Sequence, residues 1–147
     1  MGASMPTLVP ELTVTDFDAS LRFYRDLLGW QVLYDRPEDR FAYLHRDGAE
    51  LMIDALSVGR NFDASLTAAD RPFGRGMNLE ITLPAIQPLL DALAKADWPL
   101  ILAPEEKWYR AGDVETGQRQ FIVADPDGYY LRFCEHLGTR PAGLHAL

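Results

Sequence analysis

The strongest constraint on the fold of this chain is internal repetition. Phe41, Asp47, Gly48 and Leu51 recur as Phe121, Asp127, Gly128 and Leu131 at a constant separation of 80 residues, and Leu12 and Val14 recur as Leu79 and Ile81 at a separation of 67. The 13-residue difference falls in a longer second-copy stretch, 105–117. Element order repeats around these markers. In the first copy a β-favouring run at 8–14 is followed by Asp16 or Asp18 as a helix cap and by Phe17, Leu21, Tyr24 and Leu28 at helical spacing, with Gly29 ending the helix. Strands are expected at 30–35, 41–46 and 49–55, the last two joined by Asp47-Gly48, a strong two-residue hairpin signal. In the second copy a strand at 76–83 precedes Pro84 and a helix with Ile86, Leu89, Leu90 and Leu93 on one face. Strands at 99–103, 118–124 and 129–135 complete it, with Asp125-Pro126-Asp127-Gly128 turning between the last two. The pattern predicts an α+β fold of two βαβββ modules in tandem, each a curved mixed sheet with a helix on its convex face. One domain spans 6–137, with module one at 6–56, a linker at 57–75 that lacks any sustained period, module two at 76–137 and a tail at 138–147. Neither module alone would bury enough surface to be stable.

Composition narrows the partners. Twenty-two acidic residues against 14 basic give a formal net charge of −8, which excludes nucleic acid as an expected partner, because phosphate binding needs clustered Lys and Arg. An acidic surface also does not suit an anionic membrane and instead draws in cations, besides favouring solubility. Cys134 is the sole cysteine, so no internal disulfide is available and a reducing, cytoplasmic setting is expected. Residues 1–6 lack a basic segment followed by an apolar one, Pro6 stands where a myristoylation motif wants Ser or Thr, and no apolar run approaches the ~18 residues that span a bilayer. No membrane association is expected.

The first hairpin fixes which side chains share a face. With Asp47 and Gly48 as the turn, Leu44/Leu51 and Ala42/Ile53 fall on one face, while Phe41/Asp54, Tyr43/Met52 and His45/Glu50 fall on the other. Along the first strands Leu12 and Val14 alternate with Glu11 and Thr13, and Leu79 and Ile81 alternate with Asn78 and Glu80. The second copy adds Phe121, Tyr130, Arg132 and Cys134 to the polar-aromatic side. Such a face suits a ligand cleft, apolar walls with a few fixed polar groups; it equally suits the wetted side of an antiparallel sheet. The stretch 105–110, with Trp108 and Tyr109, either folds over the opening or forms an exposed loop.

The run Val9-Pro10-Glu11-Leu12-Thr13 with Asp16, then Phe23-Tyr24-Arg25-Asp26-Leu27-Leu28-Gly29-Trp30, and the closing 121–133 segment with Asp125-Pro126-Asp127-Gly128 together resemble the vicinal oxygen chelate superfamily, the glyoxalase, bleomycin-resistance and extradiol-dioxygenase group. The resemblance covers residues 6–137. It implies a fold and not one activity, since such a fold hosts many functions. Enzymes of that superfamily usually hold a divalent metal with His, Glu or Gln on the first and last strand of each module. Carried onto this chain, those positions fall at Val9, Met52, Gly76 and Arg132. Two of these have no side-chain donor, one is a soft thioether and one is a fixed cation, so the usual metal site is expected to be missing. No zinc-type His or Cys spacing exists. His45 with Glu50 and Asp54 is the one other grouping on a shared face, and a hairpin histidine beside a carboxylate accounts for it. No nucleophile elbow, phosphate loop or dinucleotide fingerprint is present, and no cofactor is expected.

Lacking the ligands and carrying Val-Pro-x-Leu-Thr on the first strand, the chain most resembles the bleomycin-resistance type. That resemblance implies a small acidic bacterial homodimer that sequesters a cationic antibiotic in clefts between subunits without altering it. The expected ligand-binding set is Glu11, Phe41, Tyr43, Glu50, Met52, Asp54, Asn78, Glu80, Trp108, Tyr109 and Arg132. Phe41 is alternatively a core residue, and Glu11 or Glu80 alternatively a structural partner of Arg132, whose charge needs neutralising in a cleft for cations. The rival expectation is an enzyme of glyoxalase, lyase, isomerase or dioxygenase type with displaced ligands, using Glu80 or Glu11 as a base.

Overall fold

A computed structural model describes residues 6–58 and 62–143. The amino-terminal residues 1–5, linker residues 59–61 and the end of the tail with His145 lie outside them. The chain divides into two compact units. One runs to Arg75 and also takes in Asp125–Tyr129; the other is made of Gly76–Ala124 and the chain from Tyr130 onward.

In the first unit β1 (Glu11–Val14) leads into α1, which is α-helical over Phe17–Leu21 and widens to a π-helix over Arg22–Leu27. The Asp16 carboxylate accepts the Ala19 amide at 3.1 Å and so caps the helix start. At the other end Gly29 takes φ +78° and the Arg46 Nε–H donates to the Leu28 carbonyl at 2.9 Å. Strands β2 (Gln31–Arg36), β3 (Phe41–Arg46) and β4 (Ala49–Ala55) follow, giving sheet order β1-β4-β3-β2 with β1 parallel to β4. The pairing of β3 with β4 runs from Phe41 opposite Asp54 to Arg46 opposite Ala49, the register that the Asp-Gly turn dictates. Leu12, Val14, Ala42, Leu44, Leu51 and Ile53 are buried on one face, and α1 packs against β4.

The second unit repeats the plan with β5 (Asn78–Thr82), α2 (Gln87–Lys95), β6 (Leu100–Ala111), β7 (Val114–Ala124) and β8 (Tyr130–Pro141), in sheet order β5-β8-β7-β6. Ile86, Leu89, Leu90 and Leu93 are buried as their spacing predicts. The Ile86 amide donates to Glu135 on β8 at 3.0 Å, and the Trp98 indole donates to the Ala124 carbonyl at 2.9 Å, fixing both ends of α2 to the sheet. Each module is therefore a mixed four-stranded sheet in βαβββ order.

Three sequence expectations are corrected. First, 105–117 is neither a flap nor a loop: β6 and β7 continue as a hairpin through Gly112-Asp113, with Ala111 paired to Val114, and β8 runs beside them to Pro141. Second, five residues rather than the four of Asp125-Pro126-Asp127-Gly128 separate the paired ends of the last hairpin, Ala124 and Tyr130. That odd residue shifts β7 by one position relative to β3, so Phe121 pairs with Phe133 in the core, the rings stacked at 5.6 Å, instead of joining Arg132 on the polar face. Third, Glu11 pairs with Met52 while Glu80 pairs with Arg132, so the first strands are related by 69 residues and not 67. The counterpart of Val9 is consequently Asn78 rather than Gly76.

The last hairpin's turn, Asp125–Tyr129, is locked into the first unit. Asp125 accepts the Tyr24 hydroxyl at 2.7 Å and the amides of Asp127 and Tyr129 at 2.9 Å each. Asp127 accepts the amide and hydroxyl of Thr15 at 3.1 and 2.6 Å, and the Tyr129 hydroxyl donates to the Thr13 carbonyl at 2.9 Å. Burial pushes the Asp125 carboxyl up to about 6 against the pull of these hydrogen bonds. No helix among the described residues is long and apolar enough to cross a membrane.

Candidate functional site

In module two the side chains facing away from α2 build a cleft of about 580 Å³, within the range of small-molecule sites. Strand alternation places them: Asn78 and Glu80 from β5, Arg132 from β8, Thr116, Gln118, Gln120 and Ile122 from β7, Leu102, Glu105 and Tyr109 from β6. Arg132 is the central cation, and each of its three guanidinium nitrogens has a partner. Its guanidinium meets Glu80 at 3.0 Å, Asn78 Oδ1 at 3.1 Å and Gln120 Oε1 at 3.1 Å. Gln120 is buried, 2 % exposed. Its oxygen also accepts from Gln118 at 2.6 Å, while its nitrogen donates to Glu105 Oε2 at 2.8 Å and to the Tyr109 hydroxyl at 2.7 Å. Chemistry dictates that orientation, because arginine can only donate and a carboxylate only accept. One amide thus ties the Arg132–Glu80 pair to Glu105 and Tyr109.

Module one differs on the equivalent face. Tyr34 stacks on Tyr43 with ring centroids 5.0 Å apart and lies 6.1 Å from Phe41, and the Arg36 guanidinium sits 4.0 Å over the Phe41 ring. Phe41 and Tyr43 are consequently 4 % and 5 % exposed and present no open face for stacking a ligand. The Tyr43 hydroxyl donates to Glu50 at 2.5 Å, and that bond raises the phenol to about 12. Beside them a cleft of about 350 Å³ is lined by Glu11, Arg36, Asp39, Phe41, Asp54, Val58 and Phe62. Partial burial and the neighbouring Asp54 carboxylate raise the Glu11 carboxyl, with Arg36 pulling the other way. Met52 lies between Glu11 and Tyr43 in the register.

The structure thus brings Asn78, Glu80, Tyr109 and Arg132 together in one cleft and places Glu11, Phe41 and Asp54 in another. Tyr43, Glu50, Met52 and Trp108 line neither, a correction to the expected set. Because 105–111 is a strand and not a loop, neighbours Trp108 and Tyr109 point to opposite faces. Trp108 lies over Gly117, where a Cβ would come within 2.6 Å of the indole, and stacks on Arg140 at 4.0 Å while donating to Glu106 at 3.0 Å. Sequence reasoning missed Leu102, Glu105, Thr116, Gln118, Gln120 and Ile122, together with Tyr34 and Arg36. Gly112-Asp113, with Gly112 at φ +72°, was the available signal of a hairpin that would have exposed the alternation of Glu105, Lys107 and Tyr109.

A model of the glyoxalase/bleomycin resistance protein/dioxygenase superfamily matches residues 7–133. The chain belongs to that superfamily. A superfamily member from Vibrio splendidus 12B01 is 34 % identical over 88 % of this chain and 97 % of its own, with a TM-score of 0.40. A protein of unknown function from Agrobacterium tumefaciens C58 is 27 % identical over 92 % of this chain and 98 % of its own, with a TM-score of 0.63. TioX from Micromonospora sp. ML1 is similar in fold, with a TM-score of 0.66 at 20 % identity over 90 % of this chain and all of its own. Comparison with curated proteins found no match.

The metal that superfamily enzymes hold does not fit these residues. By strand pairing the four ligand positions are Val9, Met52, Asn78 and Arg132. The Asn78 oxygen already accepts from Arg132, and a guanidinium held in place by Glu80 and Gln120 repels a dication from the remaining space. His45 is engaged with Gln31 at 2.7 Å rather than gathered with Asp54. Among the described residues no group of three or more His, Cys, Asp or Glu side chains converges. Cys134 is not poised as a nucleophile: it is 1 % exposed, and burial followed by the Glu80 charge pushes its thiol up to about 11.

Proposed function

We propose that the chain is a metal-independent small-molecule binding protein of the bleomycin-resistance type, sequestering a cationic or aromatic antibiotic-like ligand without changing it. Arg132 carries this reading. It occupies a position where superfamily enzymes place a metal ligand, and its charge is spent on Glu80, Asn78 and Gln120 while a cleft of about 580 Å³ stays open beside it. Glu80, one of the two candidate bases of the enzymatic alternative beside Glu11, is committed to that ion pair. The excess of acidic residues adds long-range attraction for a cationic ligand. The protein works as a homodimer in the reducing cytoplasm, in keeping with a single buried thiol.

Titration with metal-free and copper-loaded bleomycin, followed by tryptophan fluorescence and heat, tests the assignment. Saturable binding at micromolar ligand is expected, with the drug recovered at unchanged mass. No saturable binding would remove bleomycin as the ligand, and turnover dependent on a divalent ion would establish the enzyme instead. Sedimentation at tens of micromolar should show a dimer; monomer alone would contradict that part of the proposal.

A further inference from the structure

We infer that the module-two cleft selects a ligand with two poles, an organic cation seated on Glu105 and, on the same molecule, an uncharged carbonyl-type acceptor directed at Asn78 and Arg132. The inference rests on the reading of this cleft as a small-molecule site and adds the ligand class.

Charge accounting sets the first pole. Arg132 and Glu80 neutralise each other at 3.0 Å, leaving Glu105 as the cleft's surplus charge. Among the described residues no Lys, Arg or His nitrogen lies within 4 Å of the Glu105 carboxylate; Lys107, next on that face of β6, is exposed and forms no ion pair with it. One Glu105 oxygen is held by the Gln120 amide, which aims the carboxylate while leaving its second oxygen for a ligand. The Gln120 amide also occupies the Tyr109 oxygen as acceptor, so the phenolic O–H beside Glu105 is available to donate. A monocation is the charge that makes the occupied cleft neutral.

Hydrogen-bond accounting sets the second pole. Arg132 has five N–H groups and uses three, on Asn78, Glu80 and Gln120. Two remain, and the Asn78 amide nitrogen adds two more donors. This end is donor-rich, yet its charge is cancelled by Glu80, whose side chain is 46 % exposed. A carbonyl or amide oxygen is welcome there; a carboxylate would meet Glu80. Glu105 on β6 and Arg132 on β8 are two strand spacings and two residues apart, roughly 12 Å between backbones, with Leu102 and Ile122 as apolar wall. A compact aromatic or aliphatic body carrying both groups satisfies all three features.

A matched probe series separates the poles: L-phenylalaninamide has both, N-acetyl-L-phenylalaninamide lacks the cation, phenethylamine lacks the carbonyl, and L-phenylalanine adds a carboxylate. Affinities are read from shifts of the Asn78, Gln118 and Gln120 side-chain amides in ¹H–¹⁵N spectra of the full chain. Phenylalaninamide should bind about tenfold or more tightly than each of the others, the size expected of a charge-assisted hydrogen bond. Glu105→Gln, which can still accept from Gln120, should bring phenylalaninamide to within about twofold of its acetylated form, whereas Glu106→Gln on the opposite face should keep the preference. Equal binding of the acetylated probe, a preference that survives in Glu105→Gln, or an equal loss in Glu106→Gln would each overturn the inference. Neutral probes shifting the cleft amides would leave the small-molecule reading standing, whereas silence of those amides to every probe and to bleomycin would end both.

Discussion

Gln120 holds the module-two cleft at the level of single atoms. Its oxygen takes the Arg132 and Gln118 nitrogens, with the Cys134 thiol at 4.0 Å, and its nitrogen serves two acceptors, so a leucine of similar volume would strand N–H groups of Arg132 and Gln118, a Glu105 oxygen and the Tyr109 hydroxyl at once. Leaving such groups unpaired costs about 1–3 kcal/mol each when buried. These partners are partly solvated, so Gln120→Leu should lower stability by about 2 kcal/mol in total, read as a shifted urea midpoint at unchanged slope; an unmoved midpoint would mean the network is ornamental. Asp125 carries a pH signature. Its carboxyl, raised by burial to about 6 from an ordinary 3.8, holds a proton in the folded state that the unfolded chain has released between those values. The folded state therefore binds more protons in that window, and stability falls as pH rises from about 4 to 6 and is level above it. Asp125→Asn can keep its oxygen on the Asp127 and Tyr129 amides and turn its NH2 to donate to the Tyr24 oxygen, and it should flatten this component, seen as the difference between the two proteins' urea midpoints at pH 4, 5 and 6.

Among elements, the two hairpins show how local turn chemistry decides a face. Asp47-Gly48 is a two-residue turn, and from it the whole β3–β4 register, including Phe41 beside Asp54 and Tyr43 beside Met52, was legible before any coordinates. Asp125-Pro126-Asp127-Gly128 looks equivalent in sequence but spans five residues together with Tyr129, because Asp125 folds back on its own turn amides. The resulting one-residue shift is invisible to a comparison that aligns the two Asp-Gly pairs, and it moved Phe121 from the expected polar face to the core. The 105–117 arm was illegible for a different reason: Glu105, Lys107 and Tyr109 against Thr116, Gln118 and Gln120 make one face polar, and Glu106 and Arg110 against Arg119 and Glu115 charge the other, so no apolar alternation marks it as sheet. Glu105 and Thr116 of the cleft went unread with it, while Gln118, Gln120 and Ile122, on an expected strand, were lost to the one-residue shift. Gly128 tests the turn: it sits at φ +95°, and a Cβ there would come within 2.4 Å of the Pro72 side chain and 2.8 Å of its backbone. Gly128→Ala combines a disfavoured backbone with a clash that no rotamer relieves, and should cost about 2–3 kcal/mol in chemical denaturation. An alanine variant as stable as the parent would show that the turn is not held against Pro72.

On the scale of the whole molecule, one topology used twice carries two different surfaces. Module one fills its polar face with the Tyr34, Tyr43 and Phe41 rings and the Arg36 guanidinium, whereas module two lays a hydrogen-bonded network of Arg132, Glu80, Gln120 and Glu105 across a wider cleft. The superfamily and its βαβββ repeat were readable from a handful of residues. The chemistry was only partly so: Arg132 was flagged as needing a counter-charge and Glu80 as a candidate, but the Gln120 amide that joins them to Glu105 depends on a register no motif encodes. The central claim is that an ion-paired arginine stands in place of a metal ligand and the cleft binds without metal. Equilibrium dialysis of chelator-treated protein against zinc, nickel and manganese, with bleomycin affinity measured before and after, tests it most directly. The account predicts no stoichiometric uptake at micromolar metal and affinities equal within about twofold; one tightly held ion per chain, whose removal abolishes binding, would contradict it.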